Sequence, residues 1–293
     1  IALGTAAGLA LVSLAVAIAS AVGRSRFARQ VQHEGRRLFS GGAGADFHDA
    51  PIDDARLDAL PAPAARYLRW AGVLNKTPSR YGRLQQVGRF RTGPSAKWMP
   101  IAADQYYAMD TPGFVWFAVA QPGPVMHIRV RDRLLDGHGE IDGRLLSLIR
   151  VVHVEGDEVD QGVMLRYLSE LVWLPSAFLS PCVSFAEVED ADRRDSHARV
   201  SLRIGEREVS GELEVDEEGK PLCFYTERYY ADGKSEPRLE RWKTPCEAWG
   251  ELGGFMVPTR GKAVWELAEG DFEYADLEIL RVDHDVPSLF SEV

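Results

Sequence analysis

Hydrophobic and polar positions divide the chain into three parts, and the first is an unbroken apolar run. Residues 1–23 contain no charged side chain and no proline. At about 1.5 Å of rise per residue, a helix of this length spans the roughly 30 Å hydrocarbon layer of a bilayer. The run therefore predicts a transmembrane helix. Because Ala17-Ile18-Ala19 and Ala19-Ser20-Ala21 resemble signal-peptide cleavage sites, a cleaved signal peptide is the alternative.

Basic residues dominate the second part. Arg24, Arg26, Arg29, Arg36 and Arg37 are opposed only by Glu34. Arginine-rich flanks of membrane spans face the cytoplasm, so this segment predicts a single-pass membrane protein with a cytoplasmic globular domain. The glycine-rich run 40–45 is typical of a flexible linker. We expect a basic juxtamembrane segment and linker over residues 24–50, and a folded domain over 51–293.

Within the domain, the spacing of apolar positions changes. Between Asp53 and Gly72 it is helical, with an interruption at 60–63 where two prolines lie. From about Arg80 apolar and polar residues alternate, and glycine, proline and Asp-Gly turns separate about ten to twelve strands. One amphipathic helical segment breaks the series at 160–179, with its regular part at Gln161–Val172.

Many closely spaced strands and few helices predict an antiparallel α+β domain. A sheet of this width must curl or split. The helix near residues 160–172 is expected to pack against its concave face. We therefore expect a large curved antiparallel sheet, half-barrel-like, that wraps one or two helices and is preceded by the transmembrane helix.

Charge and cysteine content narrow the range of partners. The formal charge is −10, and without residues 1–37 it is −14, from 29 basic and 43 acidic residues. Such a body is a poor polyanion binder, so no nucleic acid is expected, while the arginine segment suits anionic lipid headgroups. Cys182, Cys223 and Cys246 are far apart and predict no disulfide framework.

Four short stretches carry a resemblance to a known family: Ala64–Leu68, Lys97–Pro100, Asp132–Gly139 and Arg166–Pro175, the last reading RYLSELVWLP. In this order they resemble a family of uncharacterised bacterial membrane-anchored domains of unknown function, over roughly residues 50–285. That family implies no activity. By fold analogy, the expected sheet is also similar to the lipoprotein carriers that hold acyl chains in a half-barrel.

Arg166 and Glu170 are the clearest candidate site residues. They are four positions apart, so on a helix they lie on one face and can pair. With Tyr167 and Trp173 nearby, the pair either presents a polar group to a cavity or serves as a structural link between helix and sheet. The structural interpretation is favoured.

Aromatic side chains provide the apolar candidates. Aromatic residues in strands usually pack in the core. A wide sheet can also leave an apolar cavity against its helix, which is the usual form of a ligand site. The expected ligand-binding residues are Trp98, Tyr106, Trp116, Arg166, Tyr167, Glu170 and Trp173.

Signals for catalysis and metal binding are weak. His127, His138 and His153 lie among carboxylates, but their spacing matches no zinc motif, and alternation places His127 outward with Arg129 and Arg131. The acidic run 155–160 lacks the spacing of a calcium loop and is expected to be solvated. The chain contains no GxSxG, GxGxxG or P-loop motif. We expect no catalytic residue, no metal and no cofactor.

Three functions remain open from the sequence. The first is a membrane-tethered domain that binds a lipid or another hydrophobic small molecule between sheet and helix, and it is the one we expect. The second is a hydrolase-type enzyme that uses Glu170 or the histidine–carboxylate cluster. The third is a structural or interaction module with a filled core.

Overall fold

A computed structural model describes residues 2–41, 50–124, 126–233 and 236–290, with side chains from Leu11 onward. Most of the expected linker at 40–45 lies outside these residues. The described chain forms one sheet of thirteen strands. In chain order they are β1 (Tyr81–Phe90), β2 (Met99–Ala108), β3 (Gly113–Gly123), β4 (Met126–Leu135), β5 (His138–Leu145), β6 (Ile149–Glu155), β7 (Val183–Glu187), β8 (His197–Ile204), β9 (Arg207–Val215), β10 (Pro221–Tyr230), β11 (Arg238–Leu252), β12 (Phe255–Leu267) and β13 (Gly270–His284).

The strand order is a meander in two halves. Across the sheet the order is β6-β5-β4-β3-β2-β1-β13-β12-β11-β10-β9-β8-β7, and the neighbouring strands pair antiparallel. The chain therefore builds outward from β1 to one edge, crosses to the other edge, and returns until β13 pairs with β1. The crossing contains helix α4 (Asp157–Glu170) and two 3₁₀ turns, Leu171–Trp173 and Pro175–Leu179. It has to pass across one face of the sheet.

The sheet is curved around α4. This helix contacts both β5 and β10, which lie eight places apart in the strand order. In a flat sheet that separation is about 38 Å, several times the roughly 10 Å width of a helix. The two strands can therefore meet one helix only if the sheet curls, and the expected curved antiparallel α+β fold is confirmed.

Two short helices cover the concave side before the sheet begins. Asp53 caps α2 (Asp54–Asp58) by accepting the Arg56 N–H at 2.9 Å. Helix α3 (Ala62–Ala71) ends at Gly72, which has φ 77°, a left-handed conformation that glycine adopts without strain. The helical prediction with its proline interruption is confirmed.

Helix α1 (Ala2–Ser40) has two different surroundings along its length. From Leu11 to Ala19 its side chains are exposed. Beyond Ser20 it packs on the convex face of the sheet, where Phe27, Val31 and Leu38 are buried. The arginine-rich segment, expected to connect the membrane span to the domain, is thus helical to Ser40 and packs on the domain. Among the described helices, α1 is the one long and apolar enough for a membrane span or a signal sequence.

A buried ion pair joins α1 to the sheet. Arg131 lies on the convex face with His127 and Arg129, as alternation predicts, but its side chain is only 1% exposed. Its guanidinium donates to Glu34 at 2.6 Å and also pairs with Glu140. The outward position is solvent-free because α1 covers it, which strand alternation by itself cannot reveal.

Candidate functional site

A cavity of about 260 Å³ lies between the concave face of the sheet and α4. Its wall is mostly apolar and draws on strands from both halves of the sheet. The apolar lining includes Phe90, Ile101, Trp116, Ala118, Ala120, Val130, Ile141, Val172, Trp173, Trp242, Ala263, Tyr274 and Leu277.

The strand register places the cavity at one end of the curved sheet. Phe90 ends β1, and Ile101 and Ala120 pair with each other near the adjoining ends of β2 and β3. Towards the other end of these strands, Tyr107 and Leu84 pack with buried residues of α3 and α4. The filled end and the cavity end are therefore distinct, and the β3–β4 and β5–β6 turns lie at the cavity end.

A buried hydrogen-bond network forms the polar side of the cavity. Arg166 of α4 donates through Nε to Glu170 at 2.8 Å, and through a terminal nitrogen to Asp132 of β4 at 2.5 Å. The other oxygen of Glu170 accepts from Gln105 at 2.7 Å and from the Tyr107 hydroxyl at 2.8 Å. These bonds link α4 to β2 and β4, so the predicted Arg166–Glu170 pair exists and joins helix to sheet.

The network continues into β1 and β3. Gln86 donates to Gln105 at 3.2 Å, and the Trp116 indole donates to Gln86 at 3.0 Å. The Arg166 guanidinium also lies over the Trp116 ring, 4.7 Å from its centroid. Since each bond holds its neighbour in one orientation, the polar side of the cavity is preorganised.

Burial controls the protonation states in this network. Desolvation raises the pKa of Asp132, and the adjacent Arg166 opposes that rise. For Arg166, burial alone would lower the pKa, but the carboxylates of Glu170 and Asp132 outweigh it and raise the pKa, so the guanidinium stays charged. Burial and the Glu170 carboxylate raise the pKa of Tyr107, which keeps it a neutral donor.

Two buried polar atoms of the cavity wall have no hydrogen-bond partner among the described residues. They are Nε1 of Trp173 and Oδ1 of Asp132, and both residues line the cavity. Buried polar groups in folded proteins are nearly always paired. A ligand that places an acceptor near Trp173 and a donor near Asp132 would satisfy both.

Arg228 adds a second cation from the opposite half of the sheet. It stacks on Trp242 at 4.8 Å from the ring centroid and donates to the Tyr274 hydroxyl at 3.4 Å. No carboxylate among the described residues lies within 4.0 Å of it in an ion pair. Gly162 of α4 leaves room for the guanidinium.

The structure brings four of the seven predicted ligand-binding residues together. Trp116, Arg166, Glu170 and Trp173 line the cavity. Trp98, Tyr106 and Tyr167 do not.

Each of the other three has a different environment. Trp98 precedes β2 and is stacked by Arg89 and Arg91, each 4.7 Å from its ring centroid. Tyr106 points to the convex face and packs against Phe39 of α1. Tyr167 is buried in the core, where its hydroxyl donates to the Ala108 carbonyl at 3.0 Å. One step along a strand reverses the face, and one step along a helix turns about 100°, so neighbours in sequence separate here.

Sequence reasoning did not include Asp132, Gln86 or Arg228 among the ligand-binding residues. For Asp132 and Gln86, a signal exists in the strand alternation. Asp132 lies on the same face of its strand as Ile128 and Val130, and Gln86 lies on the same face as Leu84. A polar residue at an inward position of an alternating strand marks a buried partner or a site.

The histidine–carboxylate region does not form one site. His127 contacts Ser147 at 3.3 Å, His138 contacts Asp160 at 3.2 Å, and His153 is 3.7 Å from Glu140. The described residues contain no group of three or more metal-ligating side chains.

One residue of the acidic run, expected to be solvated, is buried. Asp160 accepts from the Gly139 N–H at 2.6 Å and from Arg207 at 2.5 Å. Gly139 belongs to β5 and Arg207 to β9, so this carboxylate fastens the first turn of α4 to both halves of the sheet.

Residues 50–277 match the model of DUF6544, a family of unknown function. The chain belongs to this family. The resemblance expected from the RYLSELVWLP stretch is thereby confirmed, and the family itself assigns no activity. No curated protein is similar enough to the chain to count as a relative.

Three solved structures are similar in fold to this DUF6544 chain. A DUF1329 family protein from Desulfovibrio piger aligns with TM-score 0.43 and 14% identity over 81% of this chain and 96% of that one. An outer membrane lipoprotein-sorting protein domain from Vibrio parahaemolyticus aligns with TM-score 0.41 and 10% identity over 72% of this chain and 87% of that one. A LolA superfamily protein from Nitrosomonas europaea aligns with TM-score 0.37 and 12% identity over 77% of this chain and 94% of that one.

Proposed function

We propose that this DUF6544 protein is a membrane-tethered binding protein that holds an amphiphilic molecule, a lipid or another hydrophobic small molecule, in the cavity between sheet and α4. The observation that carries the proposal is the cavity of about 260 Å³, with an apolar wall and one polar side. Burying a hydrocarbon chain in such a wall contributes about 0.8 kcal/mol per methylene.

The polar side suits a headgroup. It offers an unpartnered indole N–H at Trp173 and an unpartnered carboxylate oxygen at Asp132. The guanidinium groups of Arg166 and Arg228 lie at the same cavity. An amphiphile whose head carries both a donor and an acceptor, such as a hydroxyl-bearing head, would therefore be held at both ends, its tail by the apolar wall and its head by these groups.

The interactions of Glu170 favour binding over hydrolysis. Both of its oxygens are engaged, one by Arg166 and the other by Gln105 and Tyr107. A general acid or base needs an oxygen free to reach the reacting proton. Glu170 instead orients Arg166 towards the cavity.

The membrane tether is the N-terminal part of α1. Residues 2–19 precede the part of the helix that packs on the domain. Such a helical stretch is about 27 Å long, close to the thickness of the hydrocarbon layer. Because arginine-rich flanks of membrane spans face the cytoplasm, the arginines that follow it support a cytoplasmic domain. Trypsin should digest the domain in inverted membrane vesicles but not in right-side-out vesicles, and the opposite pattern would contradict this orientation.

Native mass spectrometry of the full chain extracted from membranes tests the binding proposal. Wild type should carry one lipid-sized mass per chain. Ala118→Phe places a ring in the cavity, because Ala118 is a wall residue and 1% exposed, and should lose that mass. Ala186→Phe makes the same change at an exposed position of β7 and should keep it.

Two results would contradict the proposal. One is a wild-type chain that carries no amphiphile under conditions that keep it folded. The other is an Ala118→Phe chain that retains the bound mass in full. Tryptophan fluorescence during heating checks that both variants fold.

A further inference from the structure

The edge of the sheet formed by β6 and the adjoining turns exposes several large apolar side chains. Ile149 is 60% exposed, Leu148 40% and Met126 44%. Val151 and Val154 of the edge strand β6 are exposed as well. Contiguous exposed apolar residues in a folded domain mark a surface that is covered in the working state.

These residues lie at two neighbouring turns. Met126 begins β4 directly after the β3–β4 turn, and Leu148 and Ile149 follow the turn between β5 and β6. The turns adjoin, because the Leu146 N–H donates to the His127 carbonyl at 2.9 Å. We call Met126, Leu148 and Ile149 the apolar rim.

The rim lies where α1 leaves the domain. The Ser20 hydroxyl donates to the Leu146 carbonyl at 2.7 Å, and a side chain at Gly23 would overlap the Ser147 carbonyl. In the other direction along the helix, Arg37 pairs with Asp136 at the far end of β4. Helix α1 therefore crosses the convex face over β2 and β3, from the β5–β6 turn to the β4–β5 turn, and its exposed apolar part projects past the rim.

Cationic side chains surround the same place. Arg24 is exposed one turn beyond Ser20, and its charge acts on both Arg129 and His127 beside the β5–β6 turn. A bilayer presents hydrocarbon at its centre and anionic headgroups at its surface. The apolar rim and the projecting helix suit the hydrocarbon, and the arginines beside them suit the anionic headgroups.

We propose that the apolar rim is a second membrane contact, which inserts into the interfacial layer beside α1 and sets the cavity end of the sheet against the bilayer. The proposal rests on the tether proposed above. The rim gives the domain a fixed orientation, because a helix alone leaves rotation about its axis free. It also places the lipid cavity at the end of the sheet nearest its ligand.

Photo-crosslinking tests the contact. The full chain is reconstituted in nanodiscs made of equal parts phosphatidylcholine and phosphatidylglycerol, with a trace of phosphatidylcholine that carries a diazirine in its acyl chain. After illumination, adducts are mapped by mass spectrometry. We expect adducts on α1 before Ser20 and on the peptides that contain Met126 and 146–152.

A double variant, Leu148→Ser with Ile149→Ser, should lower the yield of adducts on these turn peptides severalfold and leave the adducts on α1 unchanged. The matched control is Leu239→Ser, which removes a side chain that is 48% exposed on β11, and it should behave as wild type.

The outcomes separate the two proposals. Adducts on α1 without adducts on the turns would overturn the rim contact and leave the tether intact. Adducts on neither would overturn both. Chemical crosslinks between β6 strands of two copies, with no lipid adducts on the turns, would show that a second copy covers the rim, and this also overturns the proposal.

Discussion

Glu170→Gln is the sharpest perturbation of the buried network. The wild-type carboxylate accepts from three donors, Arg166 at 2.8 Å, Gln105 at 2.7 Å and Tyr107 at 2.8 Å. A glutamine amide has one oxygen and one NH₂ group. In either orientation its NH₂ therefore faces a donor. The substitution also removes one of the two carboxylates that neutralise Arg166.

The expected cost follows from the burial of the pair. Breaking a buried ion pair by removing one member typically costs about 3–5 kcal/mol. Arg166 retains Asp132 at 2.5 Å, which favours the lower end of that range. We expect the free energy of unfolding to fall by about 3 kcal/mol. For a domain of this size, that lowers the melting temperature by roughly 6–12 °C.

Intrinsic tryptophan fluorescence during heating is the assay, since the chain contains seven tryptophans. Glu158→Gln is the matched control, because Glu158 is exposed in the first turn of the same helix. It should change the unfolding free energy by only about 0.5 kcal/mol. An unchanged melting temperature for Glu170→Gln together with lost lipid binding would refute the reasoning, because Glu170 would then act on the ligand alone.

Three further substitutions test other parts of the structure. Arg131→Met leaves Glu34 without its main cation, so hydrogen–deuterium exchange should rise severalfold over residues 27–39 and stay unchanged in α4. Burial lowers the pKa of His284 to about 4, so the native state loses stability as pH falls from the ordinary pKa of 6.5 towards that value. Between about pH 7 and pH 5 the loss is about 2 kcal/mol, and His284→Gln should remove it from urea-unfolding measurements. Trp173→Phe removes the unpartnered indole donor, so lipid retention in native mass spectrometry should fall about fivefold, the equivalent of about 1 kcal/mol for one hydrogen bond.

Each of these three predictions has a control or a result that would contradict it. Arg199→Met, at an exposed position of β8, should leave exchange in α1 unchanged. If Arg131→Met does the same, the ion pair does not hold the helix. A stability difference between wild type and His284→Gln that is independent of pH would exclude the histidine as the titrating group. Trp249→Phe removes an indole that donates to the Pro221 carbonyl outside the cavity, so equal lipid loss in both tryptophan variants would show a general effect.

Local pattern was sufficient for most elements of this fold. The helices at Asp54–Asp58 and Ala62–Ala71, the crossing helix and most strands follow from spacing, turns and caps that neighbouring residues create. Strand β5 has little sequence signal, because two of its inward positions are glycines, Gly139 and Gly143, which leave no apolar run. The many apolar residues over 145–154 are typical of one continuous strand, but the chain turns at Leu146 and Ser147, with φ of 52° and 60°.

Partners distant in sequence decided the candidate site. Residues 63 positions apart form the Tyr107–Glu170 bond, and 97 positions separate Arg131 from Glu34. Periodicity assigns a side chain to a face, but which face α4 fills and which face α1 covers depends on how the two halves of the sheet close. The sequence by itself thus determined most of the helices and strands and the candidate pair Arg166 and Glu170. Only the tertiary structure decided that Asp132 and Arg228 share their cavity, because charges interact through space and not along the chain.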